Sequence, residues 1–266
     1  MRNAHRVKTG EKKYGLLLSG MVVLWFLLFG EMAIAYQEEE VSRGGSITGV
    51  VKFTGIVPSP QTYKVTMGSN PEFCRTLADE TGGIAIPQVR VSSKQELADV
   101  VIFLQEVERG KSVPKSGPVV TVDRCQFGPY VIGAMADQTL RVAMRDPIAH
   151  QLRGWEILDK GRLPLFQIPN LKEGEEATIP LKARRSSIIK LECDQHRFMQ
   201  GWLLLAANPY VGVTDDHGLY RLTNVPAGAQ TVGAWHPVLG YQEAKVKLIA
   251  GQQAILELSF ASSTSP

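Results

Sequence analysis

From residue 45 onward the chain is broken at short intervals by Gly, Pro, Asn or Asp, and this punctuation limits its fold more than any other feature. With 25 glycines and 15 prolines in 266 residues, few stretches are long enough for an ordinary helix. The segments between the breaks are short, apolar and often β-branched. Strands are predicted at 47–53, 100–105, 119–122, 130–132, 139–143, 177–179, 187–193, 201–206, 219–222, 230–235, 244–248 and 254–260. Only 93–98 carries a helix signal, enough for one or two turns. Apolar residues are 44% of the chain, enough to fill ordinary cores. The expected class is therefore all-β, a sandwich or a barrel.

The strands group unevenly. Residues 118–207 hold enough of them to close a small sandwich. Those before (45–117) and after (208–262) are too few on either side to close a core alone. We expect them to combine into one outer β-domain, with 118–207 inserted in it. A tandem order, 45–207 followed by 208–262, is the alternative. Residues 36–44 are polar and acidic and read as a flexible linker, and 263–266 as a disordered tail.

Residues 1–35 read as a Sec-type signal peptide. Basic residues (Arg2, Arg6, Lys8, Lys12, Lys13) precede an apolar run of about 15 residues, short for a spanning helix. Ala33 and Ala35 then stand at cleavage spacing, so that Tyr36 begins the mature chain. The alternative is an uncleaved membrane anchor. Either way the remainder is expected in the periplasm or outside the cell. Removing this segment takes five bases and two acids from the totals of 29 and 26 and leaves 24 of each. A neutral mature chain lacks the basic footprint that nucleic-acid binding requires, and no membrane contact is expected beyond the N-terminal segment.

The residues that carry chemistry cluster at 193–199. Cys193, His196 and Met199 place a thiolate, an imidazole and a thioether within seven residues, between two predicted strands. A tight loop there would aim all three at one point. Two His and one Cys with a weak axial Met is the ligand set of mononuclear blue-copper sites. The second His must come from elsewhere, and His150, just after the strand at 139–143 and the bend at Pro147, is the candidate. Three cysteines in an oxidising compartment suggest one disulfide and one cysteine with another task. Cys125 has no His near it, so pairing Cys74 with Cys125 leaves Cys193 available as a ligand. Pairing Cys193 with either would abolish the site.

On these residues, together with 45–53, 99–104, 125–129, 146–150, 208–210, 214–222, 225–228 and 235–236, the chain resembles a family of secreted bacterial proteins. They are described as plastocyanin-like or as methylamine-utilisation proteins. They combine a cupredoxin domain with a carboxypeptidase-regulatory-like (transthyretin-like) β-domain. The resemblance implies a cupredoxin-like Greek-key β-sandwich inserted in, or adjacent to, a second β-sandwich. It also implies one copper ion and periplasmic electron transfer with a redox protein partner. Arg145 stands where the family has Asn, and Arg197-Phe198 where it has Pro-Trp. The two arginines would put positive charge near the site and favour Cu(I). Asp146, Arg145, Arg197 and Phe198 are thus candidates for supporting positions.

His236 follows Trp235 and reads first as a structural imidazole bracing the next loop, with reserve use as a ligand. His217 reads as an exposed turn residue. The basic stretch 182–185 is either solvated surface or a dock for an acidic redox partner. No nucleophile–base pair or phosphate loop is present, and a His₂CysMet site leaves no position open for substrate, so an enzyme is not expected. Besides electron transfer, two readings compete: a copper chaperone or buffer using the same ligands, and a metal-free β-sandwich module that binds protein or carbohydrate.

Overall fold

The computed structural model describes residues 36–64 and 71–262. The signal-peptide and tail expectations lie outside the described residues. The described residues are almost entirely β and irregular structure, in two sandwiches.

The first sandwich is built from residues 119–206. One of its sheets has the order Glu176–Pro180, Thr139–Met144, Val119–Asp123, Gln126–Gly128. The other runs Arg162–Gln167, Leu152–Ile157, Ile188–Cys193, Gln200–Ala206, Val131–Met135. The chain crosses repeatedly between the two sheets, which is why Thr139–Met144 lies parallel to Val119–Asp123, and Gln200–Ala206 parallel to Val131–Met135. Alternation drives the packing. In Ile188–Cys193 every second residue is buried, so Ile189, Leu191 and Cys193 face inward. They meet Val120, Val122, Leu140 and Val142 from the opposite sheet in one core.

The second sandwich packs the sheet Val211–Val213, Val101–Leu104, Gly228–His236, Gly240–Leu248 against a second four-stranded sheet. That sheet is centred on Gly45–Thr54, flanked by Leu219–Val225 on one side and by Gln253–Ile255 and Leu258–Ala261 on the other. Its core includes Ile47, Phe53, Ile102, Leu104, Leu222 and Phe260. Early and late strands thus share one core. A third cluster, Val101, Val131, Leu204 and Trp235, joins the two sandwiches, with the Trp202 and Trp235 rings 6.2 Å apart.

The structure differs from the sequence reading in four places. The linker 36–44 is tied down: Gln37–Glu38 pairs with Arg109–Gly110, and the Tyr36 hydroxyl donates to the Lys111 carbonyl at 2.7 Å. Residues 93–98 form a turn, not a helix. Val91 bridges Leu97, Lys52 bridges Glu96, and the Ser92 hydroxyl accepts the Lys94 and Glu96 amides, competing with helical hydrogen bonds. Within 61–86, placed by sequence in the outer domain, Cys74 and Ile84 instead join the core of the first sandwich, and Tyr63, Phe73, Leu77 and Ile86 pack against it. The segment contains the hairpin Gln61–Lys64/Gly83–Ile86 and the five-residue helix Pro71–Arg75. Finally, 152–157 and 162–167 lie outside the strands predicted from sequence and form the hairpin Leu152–Ile157/Arg162–Gln167. Its inward positions are Leu152, Gly154 and Glu156, so only one of the three is a recognisable core residue.

Among the described residues, no helix is long and apolar enough to cross a membrane.

Candidate metal centre

Strand geometry aims the first donor. Cys193 is the last inward residue of Ile188–Cys193 and lies opposite Leu152 on the neighbouring strand, so its sulfur points into the core. The chain then turns at once. Cys193 donates its amide to the Met199 carbonyl at 3.3 Å, Met199 donates to the His196 carbonyl at 2.9 Å, and pairing resumes at Gln200. This loop carries His196 back over Cys193 and holds Met199 beside it. His150 enters from the other direction, in the connection between Thr139–Met144 and Leu152–Ile157, fixed by a bridge to Leu171.

The donor atoms converge. The Nδ1 atoms of His150 and His196 are 3.1 Å apart, and the Cys193 sulfur is 3.9 Å from the first and 3.6 Å from the second. A point about 2.1 Å from all three corners of that triangle exists at its circumcentre, close to the ~2.0–2.3 Å at which imidazole nitrogen and thiolate sulfur bind a metal. All three residues are at least 97% buried, and Met199 is 1% exposed in the same core. The donor set therefore fits one soft-to-borderline transition-metal ion, and the loop backbone ties Met199 to both Cys193 and His196.

A carboxylate orients one ligand. The His150 Nε2–H donates to Asp146 Oδ2 at 2.8 Å, which fixes the ring and turns the Nδ1 lone pair toward Cys193. Asp146 is itself buried and accepts the backbone amides of Arg124 and Cys125. Burial lowers the His150 pKa, which hydrogen bonding to Asp146 opposes. Burial also raises the Cys193 thiol pKa, countered by backbone N–H groups of Gln195, Gln151 and His196. Both shifts come mainly from the removal of water.

The remaining sequence candidates fall elsewhere. Phe198 is buried, with its ring 5.7 Å from that of His196. Arg145 and Arg197 are exposed. Cys74 and Cys125 are disulfide-bonded, which leaves Cys193 as a buried free thiol. His236 lies in the other sandwich, where its Nδ1 accepts the amides of Val238 and Leu239 at 3.2 and 3.3 Å. His217 is in an exposed turn built on Asp215, whose Oδ1 accepts the amides of His217 and Leu219. Sequence pattern does not mark the Arg124-Cys125 turn as support for the site. Its signal was faint, because it acts through backbone amides, which any residue carries. A cleft of about 350 Å³, lined in part by Ile86, Arg90, Phe127, Tyr130 and Phe198, reaches Met199.

No family model matches the chain, and no curated protein matches its sequence. Solved structures similar to part of it include a proline-to-glycine variant of amicyanin in its reduced Cu(I) form (15% identity, 36% of this chain, 97% of that one, TM-score 0.28). A purple cupredoxin from Nitrosopumilus maritimus matches at 13% identity over 34% of this chain and 99% of that one, with a TM-score of 0.29. A copper-containing nitrite reductase from Thermus scotoductus matches at 20% identity over 36% of this chain, but over only 24% of its own length, with a TM-score of 0.29.

Proposed function

We propose that this protein is an exported electron carrier that holds one copper ion with His150, Cys193 and His196, and with Met199 as a weak axial ligand. The observation that carries the reading is the triangle of two imidazole nitrogens and one sulfur around a common point at metal-ligand distance. Bound copper would supply a one-electron couple. The chain holds the ligands in fixed positions on a strand end, a tight loop and a carboxylate-braced connection, which keeps the reorganisation between oxidation states small. It also excludes water, since every proposed ligand is buried. Four protein ligands leave no position for a substrate, so the role is transfer rather than turnover. The partner is a redox protein, and the cleft beside Met199 offers it a close approach. A chaperone or buffer needs exposed, exchangeable coordination, and burial of all four side chains favours the carrier.

The test is a titration of the purified, disulfide-intact protein with Cu(II), followed by visible absorption and electron paramagnetic resonance. We expect an intense thiolate-to-copper band that saturates at one equivalent and disappears in Cys193→Ser. A protein that stays colourless through the titration would overturn the blue-copper reading.

A further inference from the structure

The disulfide touches the support of the candidate metal centre. Val119–Asp123 pairs antiparallel with Gln126–Gly128, with Asp123 opposite Gln126, so Arg124 and Cys125 alone make the turn. Both lie in the left-handed region, with φ of 48° and 52°. A two-residue hairpin turn with both residues left-handed is the type favoured by Asn-Gly, and neither arginine nor cysteine suits it. Two things hold it. The Asp146 carboxylate accepts the Arg124 amide on Oδ1 and the Cys125 amide on Oδ2, the latter at 2.7 Å. The side chain of Cys125 is bonded to Cys74 in the segment that covers the core. Asp146 Oδ2 is also the atom that accepts the His150 Nε2–H at 2.8 Å. One oxygen thus joins the turn to the ligand. The sulfur of Cys125, a carboxylate oxygen of Asp146 and a ring nitrogen of His150 all lie within 4.8 Å of one another, and all three residues are buried.

We infer that Cys125 is a positioning residue for the metal centre, and that the Cys74–Cys125 disulfide latches the site by holding the turn whose amides fix Asp146 and, through it, His150. This rests on the copper reading. A dithiol reductant would open the latch. Its two electrons break the S–S bond, Cys74 and Cys125 each take up a proton as thiols, and the reductant becomes a disulfide. With Cys125 released, the turn relaxes from its left-handed conformation, Asp146 loses its amide donors, and the His150 ring is no longer held with Nδ1 toward Cys193. Reduction then lowers metal retention without touching a ligand.

Two variants separate this route from a general loss of stability. Cys74→Ala/Cys125→Ala removes the bond and keeps an ill-suited turn. Cys74→Ala/Arg124→Asn/Cys125→Gly also removes the bond but installs the Asn-Gly pair that adopts this turn unaided. Copper affinity and the thiolate-to-copper band are measured for both and for the disulfide-intact protein, well below their unfolding temperatures. The first variant should lose about 10–100-fold in affinity, with a shifted or weakened band. The second should recover most of both, although it too lacks the disulfide. An unchanged first variant would overturn the inference, and so would equal losses in the two.

If the intact protein takes no copper, the carrier reading fails by itself and the latch is judged on the metal-free chains. Solvent exchange of the His150 Nε2–H, followed by NMR, should be about tenfold faster in the first variant and near that of the intact protein in the second. Equal exchange in all three would sink the latch.

Discussion

Cys193 and His150 reach the same point for different physical reasons. The cysteine is aimed by strand periodicity, the histidine by a charge-assisted hydrogen bond from its Nε2–H to the Asp146 carboxylate at 2.8 Å. Replacing that acceptor should weaken metal binding without unfolding the chain. Asp146→Asn keeps the shape but removes the charge, and we expect a 10–100-fold loss of copper affinity, read by competition with a chelator of known strength. His236 makes a different prediction. Burial lowers its pKa to about 4, and its Nε2 has no partner among the described residues. Below pH 6.5 the unfolded chain binds a proton on this ring that the folded chain refuses until about pH 4, so stability rises with pH through that window. The contribution lost on acidification is on the order of 3 kcal/mol. Urea unfolding of the metal-free protein at pH 7 and pH 4.5 should show a shallower loss in His236→Gln than in the wild type. The cluster at 193–199 was legible because soft ligand types are rare and stood close together. The role of the Arg124 and Cys125 amides was not, because a backbone N–H leaves no mark on composition.

At the scale of elements, a strand whose inward face is mostly large apolar residues is visible in sequence, and Leu152–Ile157, with only one such inward residue, is not. Gly45–Thr54 places Ile47, Gly49, Val51 and Phe53 inward and reads as a strand at once. Leu152–Ile157 places Gly154 and Glu156 inward. Gly154 makes room for the Phe166 ring, 2.4 Å from where a Cβ would sit, and the buried Glu156 carboxylate accepts the Arg184 amide. Trp155, on the same strand, is approached by the guanidinium groups of Arg153 and Arg162, 5.1 and 4.1 Å from its ring. The strand that carries Gly133 shows what a missing side chain can do between elements. A Cβ there would stand 2.6 Å from Val211 Cγ2 and 3.0 Å from Val101 Cγ1, both in the other sandwich. Gly133→Ala should cost about 1–3 kcal/mol by forcing the two sandwiches apart, seen as a lowered thermal midpoint.

Across the whole molecule, the described residues of the covering segment (61–64 and 71–86) and the disulfide bind distant parts of the chain to one core. Cys74 and Cys125 are separated by 51 residues. Closing a loop of that size restricts the unfolded chain by about 4 kcal/mol. Metal-free Cys74→Ala/Cys125→Ala should lose stability of that order in denaturant unfolding, with its folded far-ultraviolet spectrum unchanged. The sequence alone determined the all-β class, most of the strands and the residue types of a copper-type donor set, because periodicity and rare ligand chemistry are local properties. The tertiary structure decided that residues 61–64 and 71–86 cover the first sandwich, that Gln37–Glu38 of the linker is paired, and that Asp146, Arg124 and Cys125 stand behind His150. Those depend on which surfaces meet after distant segments fold together, and the side chains that meet there carry no periodic signal along the chain.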